Sequence, residues 1–164
     1  MVFKRLLGTA VLLTVLAFSA SASTVSFMVV ETGLSEETSS PQYSSLWEGG
    51  LMSIFFEAGH IVTNNPILRM DKQFPTDIRG TVLEKDLDEA ALGGAEYIVL
   101  GMLEYQMQGN RPIPAGINIK IYTTVPQQLV YEQKFPAGSG RNSNEENQIV
   151  QNAGRTIISQ IKDR

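Results

Sequence analysis

The side chains best suited to chemistry are few, and their spacing limits what they could do together. His60 is the only histidine, and Glu57 precedes it by three positions in the stretch FFEAGHIVTNN. A Glu-x-x-His pair supplies two ligands, whereas a useful zinc or transition-metal site converges three or four. Cysteine is absent, which excludes disulfides, thiolate nucleophiles and thiolate metal ligands. Serines are plentiful, so a Ser-His-Asp arrangement stays formally open, but no Gly-x-Ser-x-Gly elbow is present. His60 is therefore expected to close a helix by bonding a terminal carbonyl. No catalytic residue, metal or cofactor is expected.

The carboxylates lead to the same expectation. Glu84, Asp86, Asp88 and Glu89 spread around the solvated side of a helix, while paired acid–base work needs two carboxyls facing one pocket. Glu104 interrupts an apolar strand, where a buried carboxyl would have a perturbed pKa. Its place near the strand's fraying end predicts exposure instead. The glycines form neither Gly-x-Gly-x-x-Gly nor a Walker loop, and Gly93-Gly94 stands where a helix ends. Trp47, Phe55 and Phe56 recur at helical spacing, which predicts core packing before a partner-binding face. The segment GNRPIPAG reads as a long hairpin loop with a proline-braced tip. Arg111 and Ile113 on that tip are the candidate contacts for a partner.

These residues are positioned by elements that the apolar periodicity marks out. Thr24 to Val30 predicts a buried first strand, and ETGLSEETSSPQYS a loop. Leu46, Trp47, Leu51, Ile54, Phe55 and Ala58 form a helical stripe that Gly59 closes. A short strand follows between His60 and Met70, interrupted at Asn64-Asn65-Pro66. Val82, Leu83, Leu87, Ala90, Ala91 and Leu92 mark the buried side of a second helix. Tyr97 to Leu103 is apolar on both faces and belongs inside a sheet. Ile117, Ile119, Ile121, Thr123 and Val125 alternate with polar residues, the period of a half-exposed antiparallel strand. Leu129, Tyr131 and Phe135 continue on its partner. Ile149, Val150, Ala153, Ile157, Ile158 and Ile161 draw the stripe of a closing helix. Ser45 and Glu48, Thr81 and Glu84, and Ser143 and Glu146 each show capping-box spacing. The predicted fold is α+β, a single mixed sheet with helices packed on it, in the order β-α-β-α-β-β-β-α.

The amino terminus has Lys4 and Arg5, an apolar run from Leu6 to Phe18, and the small-x-small triplet Ala20-Ser21-Ala22. This is the grammar of a cleavable secretory signal peptide, with an apolar run shorter than the roughly 20 residues of a membrane span. Residues 1–22 are expected to be removed after Ala22, leaving 23–164, or 142 of the 164 residues, as one domain. Without Lys4 and Arg5, 11 of the 13 basic side chains face 17 acidic ones, a formal charge of −6. Such a surface repels nucleic acid and anionic lipid. With no cysteine at the cleavage point, amino-terminal lipidation is excluded as well.

The element order, the segment GAEYIVLGMLEYQ after the second helix, and INIKIYTTVPQQLVYEQKF after that resemble one group of bacterial envelope domains. It comprises the TolB amino-terminal region, the penicillin-binding-protein activator LpoB and the periplasmic part of the curli secretion protein CsgG. Gly94, Ala95, Tyr97 to Leu100 and Gly101 match the group's signature strand. The resemblance implies an exported, non-enzymatic interaction domain near the cell wall or outer membrane. LpoB and CsgG relatives are lipidated on a cysteine that this chain lacks, and TolB continues into a β-propeller where this sequence closes with a helix.

The expected function is therefore binding of a protein partner in the periplasm, with an envelope-assembly or peptidoglycan-synthesis complex as a candidate. A small periplasmic enzyme or ligand-binding protein is the alternative, and a concave site with convergent titratable groups would favour it.

Overall fold

Val25, Phe27 and Val29 alternate with Ser26, Met28 and Val30, and every one of these side chains is buried. A strand buried on both faces must lie inside a sheet covered on both sides. The computed structural model places it there and describes residues 22–34, 42–70, 78, 81–109 and 111–162. The expected leader lies outside these residues except for Ala22. The elements are β1 (Thr24–Thr32), α1 (Gln42–Glu57), β2 (Ile61–Asn64), β3 (Leu68–Met70), α2 (Val82–Leu92), β4 (Tyr97–Gln108), β5 (Arg111–Thr124), β6 (Gln127–Phe135) and α3 (Ser143–Lys162).

The fold is α+β, with one mixed sheet. The sheet order is β2-β1-β4-β5-β6, and β3 also pairs with β1. β1 runs parallel to β2, β3 and β4, while β4, β5 and β6 form an antiparallel meander. The expected interruption at Asn64-Asn65-Pro66 splits the second strand into β2 and β3, since Pro66 has no N–H for a ladder. The order becomes β-α-β-β-α-β-β-β-α. Trp47, Leu51 and Phe55 of α1 and Val150, Ala153 and Ile157 of α3 cover one face, over Phe27, Val99, Ile119 and Ile121. Leu83 covers the other face, over Met28, Val30 and Leu100. Leu92 was expected on the buried side of α2 but is 89% exposed, because the helix ends there before its stripe completes another turn.

Gly59 stops α1 as expected. Its N–H donates to Phe56 O at 2.9 Å and the His60 N–H to Phe55 O at 3.1 Å, the paired bonds of a Schellman close. The φ of +93° at Gly59 is open to glycine at little steric expense. Gly94 and Ala95 repeat this bonding on Ala91 and Ala90.

The three capping boxes are corrected. α1 begins at Gln42, so Ser45 lies within it. Thr81 does stand at the start of α2, but its hydroxyl donates back to Ile78 O and caps no helical amide. For α3 the cap shifts by one residue. Asn142 Oδ1 accepts from the N–H groups of Asn144 and Glu145, and Glu145 accepts from the Arg141 N–H at 2.9 Å. This shift releases Glu146 for another role.

Helices α1 and α3 touch through glycines. A Cβ at Gly50 would come within 2.5 Å of Val150 Cγ1, whereas one at Gly49 would meet nothing within 4 Å. Alanine gains about 0.5–1 kcal/mol over glycine inside a helix. Gly49→Ala is therefore expected to stabilise by about that amount. Gly50→Ala is expected to destabilise by about 1–2 kcal/mol through overpacking. Urea unfolding of the two variants checks the opposite signs.

Candidate functional site

Two carboxylates are buried at one end of the sheet, where β1 and β4 reach their carboxyl ends. Glu31 was expected in a loop, but β1 continues through Thr32 and leaves Glu31 0% exposed on the α1 side. Removing an ionised carboxylate from water is costly unless it is paired and bonded. Ser44, itself buried at the start of α1, donates its hydroxyl to Glu31 Oε1. Arg69 of β3 donates from Nη2 and Nε to Glu31 Oε2 at 3.1 and 3.4 Å. The hydroxyls of Ser44 and Tyr105 share a further hydrogen bond at 3.1 Å. Burial, reinforced by the Glu31 charge, holds the Tyr105 phenol above the ordinary tyrosine range and outweighs the opposing effects of Ser44 and Arg69.

Glu146, freed by the shifted cap of α3, is 1% exposed. It accepts from Trp47 Nε1 at 3.0 Å, from the Gly138 N–H at 2.7 Å and from the Gly140 N–H at 3.0 Å. One carboxylate thus ties α1, α3 and the loop after β6 together. That loop packs on Pro114, which a Cβ at Gly138 would strike.

Above these two networks stands a two-stranded ribbon. The ladder of β4 with β1 ends at Thr32↔Glu104, and that of β5 with β6 ends at Ile117↔Phe135. β4 and β5 continue alone through Tyr105↔Pro114, Gln106↔Ile113, Met107↔Pro112 and Gln108↔Arg111. The segment expected as a long loop is therefore mostly strand. A ladder draws N–H donors from alternate residues, and Pro112 and Pro114 both belong to the set that points away from β4, where no strand follows among the described residues. Arg111 is exposed and Ile113 half-buried on one face of this ribbon, and Met107, paired with Pro112 on the other face, is 53% exposed. Arg111 lines a cavity of about 790 Å³ with Tyr43, Leu46, Arg141 and Asn142, between the starts of α1 and α3.

The other expected residues are dispersed. His60 sits at the end of α1, its ring 5.6 Å from that of Phe55, and Glu57 is exposed. Among the described residues no three His, Cys, Asp or Glu side chains gather in a metal-binding arrangement. Glu104 is exposed as expected, although β4 runs on past it. Trp47 and Phe55 are core, while Phe56 is 68% exposed. Burial raises the Glu48 carboxyl, opposed by a hydrogen bond with Asn64. No sequence pattern revealed the burial of Glu31 or of Glu146, which its spacing assigned to a cap. The nearest hint was a continuous β1 pattern running into Glu31.

Chemically, Ser44, Tyr105 and Glu31 are bonded to one another, Glu146 is held by Trp47 and two backbone N–H groups, and Ser44 is fully buried. No helix among the described residues is long and apolar enough to cross a membrane.

No family model matches the chain, and no curated protein does. Solved structures do. A PelC dodecamer from Paraburkholderia phytofirmans matches at TM-score 0.51 and 12% identity, over 85% of this chain and 88% of that one. TolB from Acinetobacter baumannii matches at TM-score 0.42 and 12% identity, over 86% of this chain and 27% of that one. The LpoB C-terminal domain from Salmonella enterica matches at TM-score 0.40 and 15% identity, over 76% of this chain and 89% of that one. The fold is thus similar to that of PelC. TolB and LpoB, which the sequence resemblance named, are among the matches, and CsgG is not one of these three.

Removing the Glu31 charge takes away a buried carboxylate that Arg69 and Ser44 bond, so Glu31→Gln is expected to cost about 2–4 kcal/mol in urea unfolding, given the partial exposure of Arg69. Tyr105 adds a pH dependence. Its folded pKa lies above its unfolded one, so its contribution is complete below the unfolded value, about 10 for tyrosine, and is lost as the pH rises beyond it. Tyr105→Phe should lower stability by about 1 kcal/mol at neutral pH and flatten the loss above pH about 10.

Proposed function

We propose that the protein is exported through a cleavable leader and acts from residue 23 onward as a single non-enzymatic domain in the bacterial envelope. There it binds a partner protein with the β4–β5 ribbon. The observation that carries this reading is the ribbon itself, two strands with no third strand on either side among the described residues. An isolated two-stranded hairpin is marginal in water, and its open edges offer the backbone groups used in strand addition. Met107, Arg111 and Ile113 supply apolar contact and a guanidinium, side-chain types enriched at protein interfaces in the cases of methionine and arginine. Ser44, Tyr105 and Glu31 are bonded to one another, and Glu146 is occupied by Trp47 and two backbone N–H groups, which supports docking over catalysis. The fold likeness to envelope proteins is in keeping with this placement.

A photo-crosslinking residue at position 107, 111 or 113 is expected to trap a discrete envelope protein in living cells, while the same probe at Gln151 on the exposed side of α3 traps none. Equal silence at all three ribbon positions contradicts the proposal. Mass spectrometry of the envelope fraction should find a chain beginning at Ser23, and an intact chain confined to the cytosol would contradict export.

A further inference from the structure

The face of the sheet opposite α1 and α3 carries a hollow of about 280 Å³, lined by Thr32, Met102, Glu104, Gly116, Asn118 and Lys134 with neighbouring backbone. Its origin lies in the register. Glu104 pairs with Gly116 and Tyr105 with Pro114, so Ala115 is an extra residue that bulges β5. The position beside Glu104 is thereby a glycine with no side chain to fill the face. A Cβ at Gly116 would also meet Phe135 O at 3.3 Å. One rung along, Met102, Asn118 and Lys134 lie side by side on β4, β5 and β6.

The lining has a definite polarity. Glu104 and Lys134 carry opposite charges on either side of the gap, two strands and thus roughly 10 Å apart in backbone. Both are exposed, and neither is in a salt bridge with a described residue. Asn118 gives its amide N–H to Glu132 Oε1 at 2.8 Å, which turns its oxygen the other way. That oxygen is covered and has no hydrogen-bond donor among the described residues. A covered acceptor without a donor is uncommon and calls for a partner.

We propose that the hollow binds a small zwitterion, an α-amino acid or short peptide with both termini free. Its ammonium group meets Glu104, and its carboxylate meets Lys134. Asn118, whose Oδ1 lacks a donor among the described residues, stands in the same lining on the strand between the two charges. Charge-assisted hydrogen bonds at both ends give selectivity for the unblocked molecule. The site is independent of the ribbon, so its failure leaves the docking proposal standing, and the reverse holds too.

The test is an NMR titration of the isotopically labelled protein with L-alanyl-L-alanine and with N-acetyl-L-alaninamide. The free dipeptide is expected to shift the amides of Thr32, Glu104, Gly116 and Lys134 saturably. The blocked compound should bind roughly tenfold or more weakly, as loss of a charge-assisted contact implies. Glu104→Gln and Lys134→Met should each weaken binding by a similar factor without changing the thermal midpoint. The charge-exchanged double variant Glu104→Lys/Lys134→Glu should recover part of the loss. Absence of saturable shifts, equal shifts from the blocked compound, or undiminished binding by both single variants would overturn the proposal.

Discussion

A carboxylate removed from water must be surrounded by donors, and at one end of this fold that requirement is met twice. Glu146 draws donors from Trp47 on α1 and from Gly138 and Gly140 in the loop after β6, while its own backbone belongs to α3. Glu31 does the same for β1, α1 and β3 through Ser44 and Arg69. Neither cluster adds much net stability compared with an apolar core of the same shape, since desolvation offsets most of the attraction. Each fixes geometry instead, because any displacement of the attached segments strands a buried charge. The ribbon rests on these segments, with Tyr105 bonded to Ser44 and Pro114 against Gly138.

The opposite end has no such requirement. There the helices stop at Gly59 and Gly94 with backbone bonds alone, and β1 and β4 begin in register beside them. The molecule therefore has one end built from ordinary helix and strand punctuation and one end built around buried charge. The second is also the end from which the sheet projects beyond its flanking strands. Rigid support beneath a projecting pair of strands is what a docking surface requires, because ordering a loose loop on binding reduces affinity.

Much of the architecture was legible because it follows from periodicity. The double-sided burial of β4, the alternation in β5 and the apolar stripes of α1 and α3 are local patterns, and local patterns survive into the fold. The glycine stops were legible for the same reason, since φ is a property of single residues. The capping boxes were not, because several polar residues compete at each helix start and tertiary partners decide among them. Glu146 left its cap for Trp47, which lies ninety-nine positions away in sequence. The ribbon was hidden by Pro112 and Pro114, whose usual meaning is loop. Their tolerance depends on which edge lacks a neighbour, a fact that no local stretch contains.

The claim that buried carboxylates hold the ribbon in place is tested most directly by hydrogen–deuterium exchange on the protein and on Glu146→Gln. The substitution keeps size but points an amide N–H₂ at donors that need an acceptor. The account predicts faster exchange in residues 136–140 and in the ribbon, 105–114, with β1 and the first half of β4 unchanged. Unchanged protection of the ribbon, or a uniform acceleration across the whole sheet, would contradict it.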